Sequence, residues 1–247
     1  MTGPIIRAQN LSVEFAVGSW WRRAGVFRAL TEVSFEIRRG EIFGVMGRNG
    51  CGKTTLLRVL AGAARASSGC VQEFSERRLS KALLSLGFGF DRYLSGRENA
   101  LLSAMLQGMT RKDAEDRLED IRRFSELEDF FDQPVLRYSS GMRSKLGFAT
   151  AMTLDVDVLL IDETLSVGDD AFRAKAQKAL EQRMRRSQAV VFVSHNSAQV
   201  ERLCARSIWL ERGRVLAQGE TKAVAADYQR FMQDLNERGS SSLKAVP

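Results

Sequence analysis

The 247 residues hold three cysteines and one histidine. Cys51, Cys70 and Cys204 are scattered, odd in number and without the close spacing of a zinc site or a disulfide framework, so the simpler expectation is a chain that works in a reducing compartment. No apolar run approaches the ~18–20 residues needed to cross a bilayer. The opening MTGPIIRAQNLSVEF lacks the basic-then-apolar pattern of a signal peptide, so the sequence predicts a chain that is soluble on its own. No repeat recurs at solenoid or propeller periods. A continuous basic stripe is also missing. The 37 Lys and Arg against 30 Asp and Glu give a net charge of +7, but the arginines come as short pairs interleaved with acids. That pattern reads first as a solvated surface rather than a nucleic-acid groove.

What is present is ordinary globular composition, 44% hydrophobic and 27% charged, with enough length for one large domain or a core plus a subdomain. Alternating apolar runs at Ile5–Phe15 and Ala29–Ile37 predict strands, separated by a stretch containing Trp20-Trp21-Arg22-Arg23. Two tryptophans beside two arginines suit a membrane interface, a partner protein or a loop folded on its own sheet. Glu41–Met46 reads as a buried strand, followed by a glycine-rich segment and a helix over Thr54–Gly62. A mainly helical region is expected over about 80–135, with Thr110 and Asp113 opening one of its helices. Beyond it come a helix after Ser139-Ser140-Gly141, buried strands Val156–Ile161 and Ala189–Val193 around a charged helix near Phe172–Arg185, a hairpin at Ile208–Ala217 and a last helix near Lys222–Glu237. Short apolar strands alternating with helices imply an α/β fold with a parallel sheet covered on both faces. The organisation expected is one domain over 1–238 and a frayed tail over 239–247.

Gly47-Arg48-Asn49-Gly50-Cys51-Gly52-Lys53-Thr54 fits G-x-x-x-x-G-K-[ST] between an expected strand and an expected helix. Glycines let successive backbone N–H groups and the helix N-terminus face a polyphosphate, Lys53 adds charge at the β/γ-phosphates, and the Thr54 hydroxyl can ligate Mg²⁺. The run ending in Asp162-Glu163 puts carboxylates at the C-terminal edge of a strand, where open α/β sheets hold ligands. Asp162 would hold the metal through water, and Glu163 would draw the proton from an attacking water. His195 follows the strand Ala189–Val193, at the same edge, where a neutral imidazole could bond a γ-phosphate or the water. Ser139, Ser140 and Gly141 form a second helix start able to receive phosphate.

Together these segments, from about Ile5 to Met232, resemble the nucleotide-binding subunit of an ABC transporter. The resemblance implies a P-loop NTPase core with an N-terminal antiparallel β-subdomain and a helical subdomain. It implies ATP and Mg²⁺ as ligands, with Asn49 to Thr55 around the phosphates. Glu163, His195 and Lys53 would be the catalytic group. Tyr138-Ser139-Ser140-Gly141-Met142 stands where the family usually has Leu-Ser-Gly-Gly-Gln, so Ser139 and Gly141 would contact the nucleotide of the opposite subunit in a homodimer that sandwiches two ATP. Ser166-Val167-Gly168-Asp169 resembles the segment that couples the two sites. The glutamine usual before the helical subdomain has no clear counterpart in Leu83–Arg92, and Asp91 is the substitute metal residue. For adenine stacking Phe15 aligns best, with Phe27 as second choice.

Ser95-Gly96-Arg97-Glu98-Asn99, Tyr138–Ala149 and Leu165–Phe172 are similar to exporters of capsular polysaccharide, O-antigen and teichoic acid. Some of these carry a further C-terminal carbohydrate-binding domain, and this chain's length favours the capsule or teichoic-acid type. The resemblance implies an integral membrane permease as partner, a polysaccharide cargo carried by that permease, no nucleic acid, and a peripheral place on the cytoplasmic face of the membrane. The alternative from another class is a soluble ABC-type ATPase acting on nucleic acid or ribosomes.

Overall fold

The computed structural model describes residues 3–17, 25–84, 90–106, 109–153, 156–162 and 169–243. Trp20 to Arg23, Leu86 to Gly89, Glu163 and Ser166 to Gly168 lie outside the described residues. The chain divides into two compact units, Met1–Phe74 with Val191–Pro247, and Ser75–Val190.

In the first unit, β1 (Pro4–Val17) and β2 (Gly25–Arg38) pair antiparallel over nearly their whole length. β4 (Ser68–Glu73) joins the other edge of β1, so the order is β2-β1-β4. The sequence pattern does not announce β4, since Ser68, Gly69 and Gln72 break any apolar alternation. Ile5, Ala8, Leu11, Val13, Leu30, Val33, Phe35 and Ile37 are buried from this layer. β3 (Glu41–Met46) pairs parallel with β8 (Arg206–Glu211), which pairs antiparallel with β9 (Arg214–Glu220). β7 (Ala189–Ser194) is the neighbour of β3 on its other side. Phe43 to Met46 are all buried, as a strand flanked on both edges and covered on both faces requires. α1 (Lys53–Leu60) presents Leu56, Leu57, Val59 and Leu60 to this core, and α7 (Ser197–Leu203) presents Val200. α8 (Thr221–Leu243) packs Tyr228 and Phe231 on Trp209 of β8, with ring centroids 5.7 and 5.0 Å apart. It runs past Glu237 to Leu243.

In the second unit, β5 (Lys81–Leu84) and β6 (Val158–Ile161) form a parallel pair. Lys81–Leu84 is therefore a strand inside the region expected to be helical; a short apolar run has no period of its own, and pairing decided its form. The helices begin later: α2 (Gly96–Leu106), α3 (Arg111–Asp116), α4 (Leu118–Ser125) and α5 (Ser140–Thr153). Thr110 caps α3 as expected, its hydroxyl accepting from the Asp113 N–H. Ala100, Leu118, Ile121, Leu127, Phe131, Val135, Tyr138, Leu146 and Ala149 make their common core. α6 (Asp170–Arg186) joins it through Phe172, whose ring meets Phe124 and Phe148 edge-on.

Candidate functional site

The glycine-rich loop leaves β3 and enters α1. Gly52, the N-cap of α1, has φ 110° and ψ 2°, a backbone conformation that a side chain would strain, and a methyl there would press on Leu30 Cδ2 at 2.9 Å. No described side chain caps α1, and a helix N-terminus of this kind favours an anion. The Lys53 side chain folds back over the loop, its ammonium donating to the Gly47 carbonyl at 2.7 Å and the Arg48 carbonyl at 2.8 Å. That places a buried cation over a loop in which Gly47, Gly50 and Gly52 all take positive φ, an arrangement that fits a polyphosphate. The Cys51 side chain is turned under the loop and buried, and burial pushes its thiol up despite the nearby lysine. Thr54 stands exposed on the first turn of α1, and Thr55 is half-buried beside it.

His195 is exposed directly after β7. Its turn is held from both sides: the Ser194 hydroxyl accepts from the Asn196 N–H at 3.0 Å, and the Asn196 side chain caps α7 by accepting from the Ala198 and Gln199 N–H groups. Phe15 and Phe27 are directly paired across the β1–β2 ladder, so they share one face, and both are about half exposed. The two candidates for adenine stacking thus form a single aromatic step.

In the second unit Asp162 follows β6 at its C-terminal end, half-buried. The Thr54 hydroxyl and the Asp162 carboxylate are each hard oxygen donors of the kind Mg²⁺ takes; Mg²⁺ held by such groups would offset phosphate charge. Ser139 caps α5, its hydroxyl accepting from the Met142 N–H at 3.1 Å. As a hydroxyl it keeps a proton to donate. Ser139, Ser140 and Gly141 line a groove of about 580 Å³ with Glu126, Phe130, Lys145 and Asp169. Asp91 is exposed, and its carboxylate accepts from the Tyr93 N–H at 2.8 Å, closing its own turn.

Several residues that sequence reasoning missed hold these pieces. Lys145 on α5 binds Asp169 at 2.9 Å and Glu126 at 3.3 Å, and Lys175 binds Glu126 at 2.8 Å. The Phe172 N–H and then Lys145 hold the Asp169 carboxyl down at about 2. Asn99, almost fully buried, donates to the carbonyls of Asp91, Leu94 and Ser95 and accepts from the Asp91 N–H, fixing the segment that leads into α2. Ser95 and Glu98 form a reciprocal capping box at that helix start, a signal legible as S-x-x-E. Asp157 accepts from Arg77, from the Ser80 N–H and hydroxyl, and from Gln188.

A family model described as ABC transporter matches residues 30–166. The chain belongs to the ABC transporter family. Within it, the chain is 41% identical over 206 residues to the O-antigen export system ATP-binding protein RfbB of Klebsiella pneumoniae, covering 83% of this chain and 82% of that one. It is 41% identical over 207 residues to the ABC transporter protein AbcA of Aeromonas salmonicida, covering 84% of this chain and 66% of that protein. The teichoic acids export ATP-binding protein TagH of Bacillus cereus is 37% identical over 221 residues, 89% of this chain but 40% of TagH. Among solved structures, the dimeric post-hydrolysis ATP-binding cassette MJ0796 bound to ADP and Pi superposes with a TM-score of 0.70 at 21% identity, over 87% of this chain and 98% of that one. That likeness establishes the ABC ATPase fold. The expected α/β P-loop architecture and ATPase class are those of the family.

Proposed function

We propose that this ABC ATPase is the energy-supplying subunit of an exporter that moves a lipid-linked polysaccharide or related polymer across the cytoplasmic membrane. The observation that carries the reading is the match to RfbB, an export-system ATP-binding protein, over most of both chains, together with a phosphate loop shaped for a nucleotide. The names of the relatives give no support to action on nucleic acid or ribosomes. Among the described residues no helix is long and apolar enough to cross a membrane, so transport would run through a separate permease.

In this reading two chains close around two MgATP. The loop of one chain and Lys53 hold the phosphates, Thr54 and Asp162 hold the metal, and Ser139 to Gly141 of the neighbour donate to the γ-phosphate. Glu163 takes the proton of the attacking water while His195 orients it. ATP then favours the closed pair because only that state completes both sites, and hydrolysis releases it. The exposed apolar face of α2, with Leu102, Met105 and Leu106, is the surface offered to the permease.

The test is the Glu163→Gln variant. Turnover should fall by about 10²–10⁴-fold with ATP binding retained and the dimer trapped closed. Wild-type turnover in that variant would remove Glu163 from the role of base. Recovery of the chain with a six-span membrane protein from detergent extracts tests the exporter assignment.

A further inference from the structure

Beneath the phosphate loop lies a feature that the nucleotide chemistry does not use. β8 ends at Glu211, and the chain turns back into β9 through Arg212 and Gly213 alone, with φ 47° and 76°. Left-handed conformations at both central residues are those of a type I′ hairpin turn, and Gly213 also lies so close to β2 that a methyl there would meet the Ala29 carbonyl oxygen at 2.7 Å. The turn grips two pieces at once. The Gly213 N–H donates to the Cys51 carbonyl of the loop at 2.9 Å, and the Gly213 carbonyl accepts from the Thr31 N–H of β2 at 2.8 Å.

Glu211 is carried by the same turn. Its side chain is only 10% exposed, yet it is a carboxylate. One oxygen, Oε1, faces Arg48 of the phosphate loop at 3.7 Å; the other, Oε2, is buried with no hydrogen-bond partner among the described residues. A buried, half-satisfied carboxylate is costly, and a well-packed apolar side chain would be the cheaper way to fill the space. Arg48 is also the residue whose carbonyl receives the Lys53 ammonium. The contacts therefore run in series, from Glu211 to the Arg48 guanidinium, and from the Arg48 backbone to the cation that meets the phosphates.

We propose that Glu211 is a positioning residue for nucleotide binding: anchored by the β8–β9 turn, it fixes Arg48 and, through the Arg48 carbonyl, the Lys53 ammonium. This rests on the assignment of Gly47 to Thr54 as the phosphate-binding loop. Glu211 does not touch the reacting atoms, so its loss should weaken binding of ground state and transition state alike, raising KM more than it lowers kcat.

The experiment uses the full chain, with the Kd for MgATP by calorimetry and the steady-state KM and kcat. Glu211→Gln and Arg48→Met should each raise Kd and KM by about tenfold while kcat falls by less than about threefold. The double variant should be no worse than either single one, because both break the same link. Arg48→Lys should bind nearly as the wild type, since a contact at 3.7 Å is not a bidentate fork. Arg48 is half exposed, so its replacement tests the link even if Glu211→Gln fails to fold. The proposal is overturned if Arg48→Met binds MgATP with the wild-type Kd, or if the two effects multiply in the double variant. A wild-type chain that bound no ATP would sink the loop assignment itself. Loss of binding in Lys53→Ala alongside wild-type Kd in folded Glu211→Gln would sink the role of Glu211 alone.

Discussion

The hydroxyl of Tyr138 occupies the space above Gly96 that any side chain there would fill, and it donates to the Phe130 carbonyl at 2.6 Å. The start of α2 and the residue preceding Ser139 are thereby in direct contact. Burial pushes this phenol up to about 12, so it stays protonated and a donor throughout the accessible range. Tyr138→Phe should cost about 1 kcal/mol by removing one of the two hydrogen bonds that the Phe130 carbonyl accepts, the other coming from the Gln133 N–H, and Gly96→Ala about 1–3 kcal/mol by forcing the ring aside. Urea unfolding of the two variants checks both; equal stability of Gly96→Ala and wild type would contradict the close approach.

Asp157 gathers Arg77, Ser80 and Gln188 from three separate segments of the second unit. Burial works against its charged form, but the Ser80 N–H and hydroxyl and the Arg77 guanidinium outweigh it and hold the carboxyl below its ordinary value. Asp157→Ala leaves these donors without their acceptor and should destabilise by about 2–4 kcal/mol, read from urea unfolding. Asp157→Asn, which keeps the shape and one acceptor, should cost less.

Acid sensitivity follows from the same sign of shift. Asp169 titrates at about 2 against an ordinary 3.8, and Asp157 and Glu126 are also held down. A carboxyl depressed on folding stabilises fully above its unfolded value, and that contribution disappears as pH falls through the folded one. The urea midpoint should therefore hold down to about pH 5 and drop between about pH 4 and pH 2. In Asp169→Asn the drop should be shallower; an identical pH profile would mean that the Phe172 N–H and Lys145 do not hold the Asp169 carboxyl down in solution.

The three thiols should separate by reactivity. Cys70 is exposed, whereas Cys51 and Cys204 are buried, with burial raising Cys51 and pushing Cys204 up to about 12. Iodoacetamide at about pH 7.5 should label Cys70 alone in the native chain, with the others reacting only in denaturant, as peptide mass spectrometry would read. Alkylation of Cys51 would not act by crowding the phosphates directly, since its side chain lies beneath the loop.

Much of this was legible beforehand because the chemistry sits in contiguous strings. Gly47 to Thr54 announces its own loop and helix start, and the all-apolar run before Asp162 announces a buried strand. His195 was placed by the strand before it. β4 and β5 were not legible, because Ser68–Glu73 and Lys81–Leu84 become strands through partners distant in the chain, β1 and β6. Lys145 with Asp169, and Glu211 with Arg48, were invisible for the same reason: each is an ordinary surface charge in sequence, and only the fold makes it a pair.

Trp209 gives the C-terminal helix a fixed minimum length. Its ring lies on β8 against Tyr228 and Phe231, one turn apart on α8, and its indole N–H is already buried without a partner among the described residues. Trimming residues after Phe231 removes none of this contact. Cutting before Tyr228 would open the indole to water on the strand that carries Glu211, so α8 sets how far the chain can be shortened before the floor of the phosphate loop gives way.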